Sequence, residues 1–424
     1  MNDLLVGTMG RLCSKLLFGG RSVKIVHVQQ YFNEGFGYQE NLLPYYQRKL
    51  GHDVVLITST RANGFGGEKR EREESEFEEN GFRVIRIPIR AEFNNRFVVF
   101  DDLYHHLERE QPDYIFHHSV TAPSLFTVCK YKMNNPGTFL AVDNHADLNI
   151  SGRNRLWKLV YYNTLWKKLI SLCDSYIDVY FGVTPARCMF LEEELGVSAE
   201  KIRLLPIGAD TDHTQVNISK LELFAKYGID ENCLVIVHGG KMTPEKQVVR
   251  IVEAFKRIDN DNIRLVLFGS ISDPMVEQAI RTDKRIRFIG WLNREETLAV
   301  LKYSDIGIWN KQHTTLLEDC IAVGLPLILR YYGSTCHLID GSGIYLYEGS
   351  VREIYDALKR VAENSELIQT FKKNAISLSR VLSYDNIVYE SIMYQQSLEP
   401  LEIHRKFMSR DYCDMNFPKF RKVI

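Results

Sequence analysis

Short apolar segments alternate with amphipathic ones along most of the chain, and this alternation limits the folds that the chain can adopt. VKIVHVQ (23–29) and DVVLIT (53–58) have the length and β-branched content of buried strands, with a helix near 40–50 between them. The same order restarts with a strand at 234–237 and a helix at 245–258. Strands joined through helices run parallel, and parallel sheets are covered on both faces. The sequence therefore predicts an α/β protein with two parallel sheets.

The length of the chain, 424 residues, exceeds the size of one ordinary hydrophobic core, so two domains are expected. The polar stretch GADTD at 208–212 marks the predicted boundary. The predicted parts are an N-terminal extension (1–22), a first α/β domain (23–212), a second α/β domain (213–380), and a C-terminal helix that returns toward the first domain, with a tail (381–424). The extension suits either an amphipathic helix on a membrane or a packed or frayed segment.

The composition excludes several classes of protein. A formal net charge of −1 lacks the basic surplus of a nucleic-acid-binding protein, so nucleic acid is not an expected partner. The eight cysteines are scattered, without a C-x-x-C pair or a cysteine–histidine cluster at metal spacing. This pattern favours reduced thiols in a cytoplasmic protein and predicts no metal site. No apolar run reaches the roughly 18–20 residues that span a bilayer.

The segment DIGIWNKQHTTLLEDCIAVGLPLILR (305–330) reads as a buried strand, a short acidic helix and a second buried strand. The helix would begin near Thr314 and Thr315, at the carboxyl end of a strand, which is where open α/β sheets bind ligands. Free N–H groups there suit a phosphate. Glu318 or Asp319, one turn further on, could hold a ribose hydroxyl. The segment therefore indicates a nucleotide-linked ligand.

The two carboxylates of this helix have a structural alternative. Thr315 and Glu318 are spaced as a capping box, in which Glu318 only satisfies backbone N–H groups. Adjacent residues of a helix point to different faces. Under this interpretation Asp319 is the better ribose ligand.

A second anion-binding turn is predicted at HGGKMTPEK (238–246). Gly240 lets the backbone approach a ligand, and Pro244 suits the first turn of a helix. Lys241 and Lys246 would lie on either side of that helix start, where a diphosphate could meet both ammonium groups. The alternative is an ordinary glycine turn with two exposed lysines.

Candidate residues in the first half lie in loops after strands. Asp143, His145 and Asp147 follow one strand, and His118 follows its neighbour. A histidine there could donate a hydrogen bond to a sugar hydroxyl or a leaving group, although a lone histidine is more often structural. Gly37 lies in a loop, NEGFGYQEN, that could let backbone N–H groups reach a ligand; it lacks the glycines of a dinucleotide fingerprint.

The segment Arg153–Lys168 contains five basic residues, no acidic residue and four large aromatic residues. A helix of this composition suits an anionic membrane surface. The alternative is a half-buried helix with a solvated basic face. A lipid-linked substrate would make the membrane interpretation natural.

Together these residues resemble the retaining glycosyltransferases of family 4, which have the GT-B fold, and in particular the type that makes bacterial polysaccharides and glycolipids. The resemblance runs from about residue 23 to residue 397. Lys241 and Lys246 fall where this family has an Arg/Lys pair on the donor diphosphate. Asp319 falls on the second acid of the E-x7-E motif, and His145 falls near the family's cleft histidine.

The resemblance implies two Rossmann-like domains whose parallel sheets face each other across a cleft. It implies transfer of a sugar from a nucleotide-diphosphate sugar to a lipid-linked or polysaccharide acceptor in surface-glycan synthesis, such as that of lipopolysaccharide, at the inner face of the membrane. His145, Lys241 and Lys246 would be catalytic, with no metal or cofactor required; the base of the donor, uridine or guanosine, stays open. A sugar-nucleotide epimerase or hydrolase of the same fold and a non-catalytic nucleotide-binding member are the alternatives.

Three departures from the family pattern bear on the site. Lys311 stands eight residues before Asp319, where the first acid of E-x7-E belongs, so the sugar that is transferred stays open. Lys241 replaces the usual arginine, which keeps the charge but not the bidentate geometry. Gln247 replaces a common glycine.

Overall fold

The computed structural model describes residues 22–64, 69–149, 151, 154–311 and 313–422. The predicted N-terminal extension lies outside these residues apart from Ser22. Arg153, the first residue of the predicted basic segment, also lies outside them.

The chain divides into two compact units. Residues up to 207 together with 384–409 form the first unit, and residues 208–383 together with those from 410 onward form the second. The sequence placed the domain boundary after residue 212 and ended the second domain at residue 380. The structural division falls a few residues away at both points, and it assigns the last residues of the chain to the second unit.

Sixteen strands occur in the described part of the chain. They are β1 (Lys24–Gln29), β2 (Asp53–Ser59), β3 (Ser75–Glu79), β4 (Phe82–Ile87), β5 (Ile89–Phe93), β6 (Phe97–Phe100), β7 (Tyr114–His117), β8 (Phe139–Asn144), β9 (Val179–Gly182), β10 (Ile202–Leu204), β11 (Leu234–Met242), β12 (Ile263–Ile271), β13 (Ile286–Phe288), β14 (Ile306–Trp309), β15 (Leu327–Arg330) and β16 (Gly343–Leu346).

The α-helices of the described residues are α1 (Gln39–Lys49), α2 (Leu103–Glu110), α3 (Ser124–Asn134), α4 (Arg155–Trp157), α5 (Lys167–Cys173), α6 (Pro185–Glu193), α7 (Lys220–Tyr227), α8 (Val248–Lys256), α9 (Pro274–Ile280), α10 (Arg294–Tyr303), α11 (Leu316–Ala322), α12 (Val351–Glu363), α13 (Ser365–Val381), α14 (Tyr384–Met393) and α15 (Glu402–Phe407). A π-helical segment, Lys158–Trp166, joins α4 to α5.

The sheet of the first unit has eight strands in the order β10-β9-β8-β7-β1-β2-β4-β3. Its strands are parallel except β3, which pairs with β4 in the antiparallel direction. From β1 the chain first builds the sheet in one direction and then continues with β7 on the other side. The order therefore reverses between β1 and β7, and the carboxyl ends of strands at such a reversal are the usual ligand site of an open α/β sheet.

The sheet of the second unit has six parallel strands in the order β13-β12-β11-β14-β15-β16. Its order reverses between β11 and β14. Ile236 and Ile308 on these two strands belong to one buried cluster with Phe255 of α8 and Leu358 of α12. This apolar packing on the sheet fixes the positions of the strand ends from which the loops emerge. The prediction of an α/β protein with two parallel sheets is confirmed.

The C-terminal region contributes to both units. In α14, Tyr384 stacks on Tyr46 of α1 with ring centroids 5.3 Å apart, and Asp385 pairs with Lys49 at 3.1 Å, within the first unit. In the second unit, the amide N of Gly333 donates to the carbonyl of Phe420 at 2.7 Å. None of the described helices combines the length and the apolar character needed to cross a bilayer.

Candidate functional site

The end of β11, at the reversal point of the second sheet, carries two glycines, so the strand predicted at 234–237 is longer and the turn begins only after Met242. Gly240 has a φ of +112°, a conformation that residues with a side chain rarely adopt. A Cβ atom added to Gly239 would overlap the ring of Phe268 on β12. Nε1 of Trp309, the last residue of β14, donates to the Gly239 carbonyl at 3.1 Å and joins the two strand ends. Both the backbone conformation and the packing of this edge therefore require glycine.

Lys241 and Lys246 bring two ammonium groups to this turn. A Cβ atom built at Gly240 would lie 3.6 Å from Lys246 Nζ and 3.6 Å from Cδ1 of Leu316, so the turn, this lysine and the start of α11 are neighbours. Burial lowers the pKa of Lys246, and the charge of Lys241 lowers it further. Within the described ranges, neither ammonium group has a carboxylate at ion-pair distance. Two adjacent cations without a protein counter-ion suit an anionic ligand.

The segment that carries Lys246 is not part of the following helix. Pro244–Lys246 form a 3-10 turn, and α8 begins only at Val248, so the predicted continuous helix from residue 245 is wrong. Gln247, at the break, has a φ of +56°. Its Oε1 accepts hydrogen bonds from Asn310 Nδ2 and Arg250 Nη1, both at 3.2 Å. Because Asn310 directly follows β14, this bond connects the Lys246 loop to the loop that leads to α11.

The capping box predicted at Thr315 and Glu318 is wrong. Thr315 has helical backbone angles, and its side chain makes no capping hydrogen bond. Oε1 of Glu318 instead lies 2.7 Å from Nε2 of His313, and both side chains are buried. The second oxygen of Glu318 is buried without a hydrogen-bond partner in the described part of the chain. His313, which the sequence pattern did not single out, thus holds Glu318 inside the second unit.

Asp319 has a different partner. Its Oδ2 accepts a hydrogen bond from Nη1 of Arg294, the first residue of α10, at 2.6 Å. Burial raises the pKa of Asp319, and the charge of Arg294 opposes that rise. Oδ1 of Asp319 accepts no hydrogen bond from the described residues, so this atom can still accept one from a hydroxyl group. The predicted contact with a ribose stays a prediction, and Arg294 is a neighbour that no local sequence pattern links to Asp319.

Thr314 and Thr315 lie directly before α11. The carbonyl of Thr314 accepts a hydrogen bond from the amide N of Leu317 at 3.0 Å, which closes the first turn. The two hydroxyl groups have no hydrogen-bond partner in the parts of the chain that are described. Their contact with a nucleotide donor stays a prediction.

At the reversal point of the first sheet, three predicted residues meet. Asp143, the buried penultimate residue of β8, presents Oδ2 to Nδ1 of His118 at 3.1 Å and to Nε2 of His145 at 3.2 Å. Its Oδ1 accepts a hydrogen bond from the amide N of Ser119 at 2.7 Å. Burial alone would raise the pKa of Asp143, but His145 and His118 hold it well below its ordinary value. The His145 side chain is 42% exposed, so one end of this cluster faces solvent.

The cluster continues into the interior through residues that the sequence analysis missed. Nε2 of His118 lies 3.0 Å from Nδ1 of His27 on β1, and Nε2 of His27 lies 2.6 Å from Oε1 of Gln47 on α1. Burial lowers the pKa of His27 to about 3, so this ring is neutral. His118 therefore links the carboxylate of Asp143 to His27 and Gln47 in one buried row of side chains.

Glu40, in the first turn of α1, is a second residue that was missed. Burial raises the pKa of its carboxyl group, the charges of His118 and His145 lower it, and that of Asp143 raises it. The charges of the histidine cluster thus act on Glu40. Its position in the NEGFGYQEN loop was the available signal, because an acidic residue stands there in place of a fingerprint glycine.

The other two predicted residues of the first unit lie outside the cluster. Asp147 is buried, its Oδ2 is 3.6 Å from Nε of Arg187, and its Oδ1 accepts from the amide N of Asn149 at 2.7 Å. Gly37 is exposed before α1. Its neighbour Gly35 has the positive φ, +73°, and the Gly35 amide N already donates to Oε1 of Glu79 at 2.8 Å. The proposed ligand contacts of Asp147 and Gly37 stay predictions.

In the described residues, His, Cys, Asp and Glu side chains form no group of three or more that could hold a metal ion. Whether the reaction needs a metal is untested, and metal independence stays a prediction.

Two family models match the chain. Residues 38–213 match the model described as Glycosyltransferase Family 4, and residues 219–378 match the model described as Glycosyl transferases group 1. Together the two ranges take in most of the chain. No curated protein matches the chain by sequence.

Solved structures show the same fold. A glycosyltransferase from Rickettsia africae is similar with a TM-score of 0.64 and 14% identity, over 89% of this chain and 99% of the other. HepE of Anabaena, solved in complex with UDP, has a TM-score of 0.66 and 14% identity, over 88% and 100%. WaaG, a glycosyltransferase involved in lipopolysaccharide biosynthesis, has a TM-score of 0.58 and 15% identity, over 88% and 100%. The chain is a GT-B glycosyltransferase of the group 1 and family 4 type.

Proposed function

We propose that this glycosyltransferase moves a sugar from a nucleotide-diphosphate sugar to a hydroxyl group of a lipid-linked or saccharide acceptor, with retention of the anomeric configuration. The observation that carries the proposal is the pair of ammonium groups of Lys241 and Lys246, whose charges act on each other near a strand end and have no counter-ion among the described residues. A diphosphate offers the two negative charges that such a pair would neutralise. The structure of HepE with UDP supports a uridine nucleotide as the donor.

The second unit would hold the donor. As the bond between sugar and phosphate breaks, negative charge grows on the departing diphosphate, and two fixed ammonium groups stabilise that charge without reorganisation. Asp319, oriented through Oδ2 by Arg294, would accept a hydrogen bond from a ribose hydroxyl at Oδ1. Thr314 and Thr315 would add hydroxyl groups at the start of α11.

The first unit would hold the acceptor. His145 is half-exposed and fixed by Asp143, so it can donate a hydrogen bond to a sugar hydroxyl while its ring orientation is maintained. His118 and His27 would act behind Asp143 as positioning residues, because they are buried. We place this reaction in surface-glycan synthesis, as the likeness to WaaG suggests.

The diphosphate assignment is tested by calorimetric titration of the protein with UDP, UMP and GDP. We expect UDP to bind at least about 10-fold more tightly than UMP, because each charge-assisted hydrogen bond contributes about 1.5–3 kcal/mol. The Lys241→Ala/Lys246→Ala variant should lose this preference. Lys373→Ala, an exposed lysine of the same unit, is the matched control. Equal affinity of the native protein for UDP and UMP would contradict the assignment.

The reaction itself is tested by incubating the radiolabelled donor with and without acceptor extracts. Turnover that requires an acceptor, with an NMR spectrum that shows the donor's anomeric configuration in the product, supports a retaining transferase. Turnover without any acceptor would replace it with an epimerase or a hydrolase. Donor binding without turnover over a broad acceptor panel would support a non-catalytic protein. The next variant would then be Lys311→Glu, because Lys311 stands where the family has its first acid.

A further inference from the structure

The helical region from Arg155 to Cys173 exposes an unusual set of side chains. Leu156 is 70% exposed, Leu159 and Val160 are each 57%, Leu165 is 49% and Leu172 is 64%. Single exposed leucines are common on protein surfaces, but five large exposed aliphatic residues on one helical stretch are unusual. This set of side chains is called the leucine face below.

The leucine face cannot turn inward, because the opposite side of the helix is already filled. Tyr161 is buried and stacks on Trp157, itself 42% exposed, with ring centroids 4.5 Å apart, and Tyr162 packs edge-on against Phe190 at 5.1 Å. Trp166 is buried as well. The π-helical turn, which the Thr164 hydroxyl stabilises by donating to the Leu159 carbonyl at 2.9 Å, places these three aromatic residues on the inner side.

The helical region itself carries charges of one sign only. No Asp or Glu occurs between Asp147 and Asp174 in the sequence. Arg155, Lys167 and Lys168 are exposed, and among the described residues none of them has a carboxylate at ion-pair distance. Lys158 differs, since it pairs with Glu194 at 2.8 Å. The apolar surface is therefore flanked by cations that carry no protein counter-ion.

Helix α3 extends this surface. Phe126, 38% exposed, stacks on Trp166 with ring centroids 6.4 Å apart, so α3 lies directly beside the helical region. Met133 on α3 is 52% exposed, and Lys130 on the same helix is exposed. Apolar and basic residues thus occur together on two adjacent helices.

We infer that the leucine face is an interfacial docking surface for an anionic phospholipid bilayer. Leu156, Leu159 and Val160 would enter the boundary between headgroups and acyl chains, and Lys167 and Lys168 would lie at the level of the phosphates. The charge pattern favours this occupant, because an uncharged apolar partner would leave the cations unpaired. The inference goes beyond the proposed sugar transfer and does not depend on it, since no donor or acceptor residue belongs to the surface.

Flotation with vesicles tests the inference directly. The full chain is mixed with vesicles of phosphatidylcholine alone or of equal parts phosphatidylcholine and phosphatidylglycerol, and the bound fraction is measured. We expect binding to the mixed vesicles only. Leu156→Ser/Leu159→Ser/Val160→Ser should lower the partition coefficient at least about 10-fold. Lys167→Glu/Lys168→Glu should lower it by a similar factor, and added salt should weaken the binding of the native protein.

Leu221→Ser/Met275→Ser is the matched control, because these residues of the second unit are 61% and 59% exposed. It should bind the mixed vesicles as the native chain does. Circular dichroism melting verifies that each variant is folded, as expected for changes of exposed side chains. Equal binding of the serine variant and the native chain would overturn the inference, and so would absence of binding to mixed vesicles. A native dimer in lipid-free buffer that the serine variant converts to a monomer would also overturn it, since the leucine face would then join two copies of the chain.

Discussion

The reversal points of the two sheets differ in whether their charged side chains have protein partners. In the second unit, the charge of Lys241 acts on Lys246, and neither has a protein counter-ion within the described residues. In the first unit, the charge of Asp143 is held between His118 and His145. The lysine edge thus carries positive charge that a ligand would neutralise. At the histidine edge the charged groups already have protein partners. The difference supports the proposal that the lysine edge binds a charged ligand, whereas the histidine edge orients a side chain.

Acid should act far more strongly on the first unit than on the second. In the first unit, burial lowers the pKa of His27 and His117 to about 3 and the pKa of His52 and His404 to about 4. In the second unit, burial lowers the pKa of His238 to about 4. Unfolded histidine titrates near 6.5, so unfolding takes up a proton at each site between these values and stability falls as the pH falls. From pH 7 to pH 5 each site costs at most about 2 kcal/mol.

Glu390 works in the other direction. Burial raises its pKa to about 7 from 4.5, so the folded chain takes up this proton first and the carboxyl group adds stability as the pH falls through that range. This gain in stability offsets the loss that about one of the four histidines of the first unit causes. Urea unfolding at pH 7 and pH 5, followed by pulse hydrogen exchange and peptide mass spectrometry, measures the stability of each unit separately. Equal losses of stability in both units would break the comparison.

Asp143→Asn should be the most destabilising single change at the histidine edge. The amide removes the negative charge of the buried side chain, and it cannot accept from both histidines at one atom and from the amide N of Ser119 at the other. Breaking a buried pair in this way costs about 3–5 kcal/mol of the free energy of unfolding. Urea denaturation at pH 7 measures the loss. Asp283→Asn, which removes a partly exposed pair with Arg285 in the second unit, is the control and should cost far less.

Lys246→Ala should reduce activity without reducing stability. Loss of one charge-assisted hydrogen bond to the diphosphate should lower kcat/KM by roughly 10- to 150-fold. The free energy of unfolding should stay within about 1 kcal/mol of the native value, because removing one of two mutually repelling cations offsets the lost packing. Steady-state kinetics and urea denaturation on the same samples separate the two effects. A large loss of stability would show that the lysine is structural.

Treatment with EDTA should leave the activity intact, since the two lysines are proposed to neutralise the diphosphate. Activity is measured before and after the chelator, with added Mg²⁺ and Mn²⁺. Complete loss that Mn²⁺ restores would contradict this prediction and assign part of the role of Lys246 to a metal ion.

The smallest effect is expected at Gln247. Gln247→Gly removes the backbone strain of a positive φ at this residue but also removes the hydrogen bonds from Asn310 and Arg250. Because these two contributions nearly cancel, the free energy of unfolding should change by less than about 1 kcal/mol. The affinity for UDP should fall by about 3-fold, because the Lys246 loop loses its connection to the α11 loop. Asn310→Ala removes the same bond without a change in backbone conformation. If it leaves UDP binding unchanged, the bond does not position Lys246.

Much of the fold was available from local pattern. The parallel sheets followed from apolar segments of strand length separated by helices, and the loops of interest followed from their positions after strands. The errors have one physical source. The capping box at Thr315 failed because a tertiary partner, His313, takes the carboxylate of Glu318, and the helix predicted from residue 245 failed because Gln247 bonds to Asn310 across the sheet edge.

The sequence by itself determined the alternation of strands and helices, the order of the loops and the residue types that those loops carry, because hydrophobic period and turn chemistry are local properties. Only the tertiary structure decided which side chains meet. It paired Asp319 with Arg294, continued the Asp143 cluster through His118 to His27, and turned the leucines of the segment after Arg155 outward. The physical reason is that hydrogen bonds, ion pairs and burial depend on distances between residues far apart in the chain, which strand order and packing set.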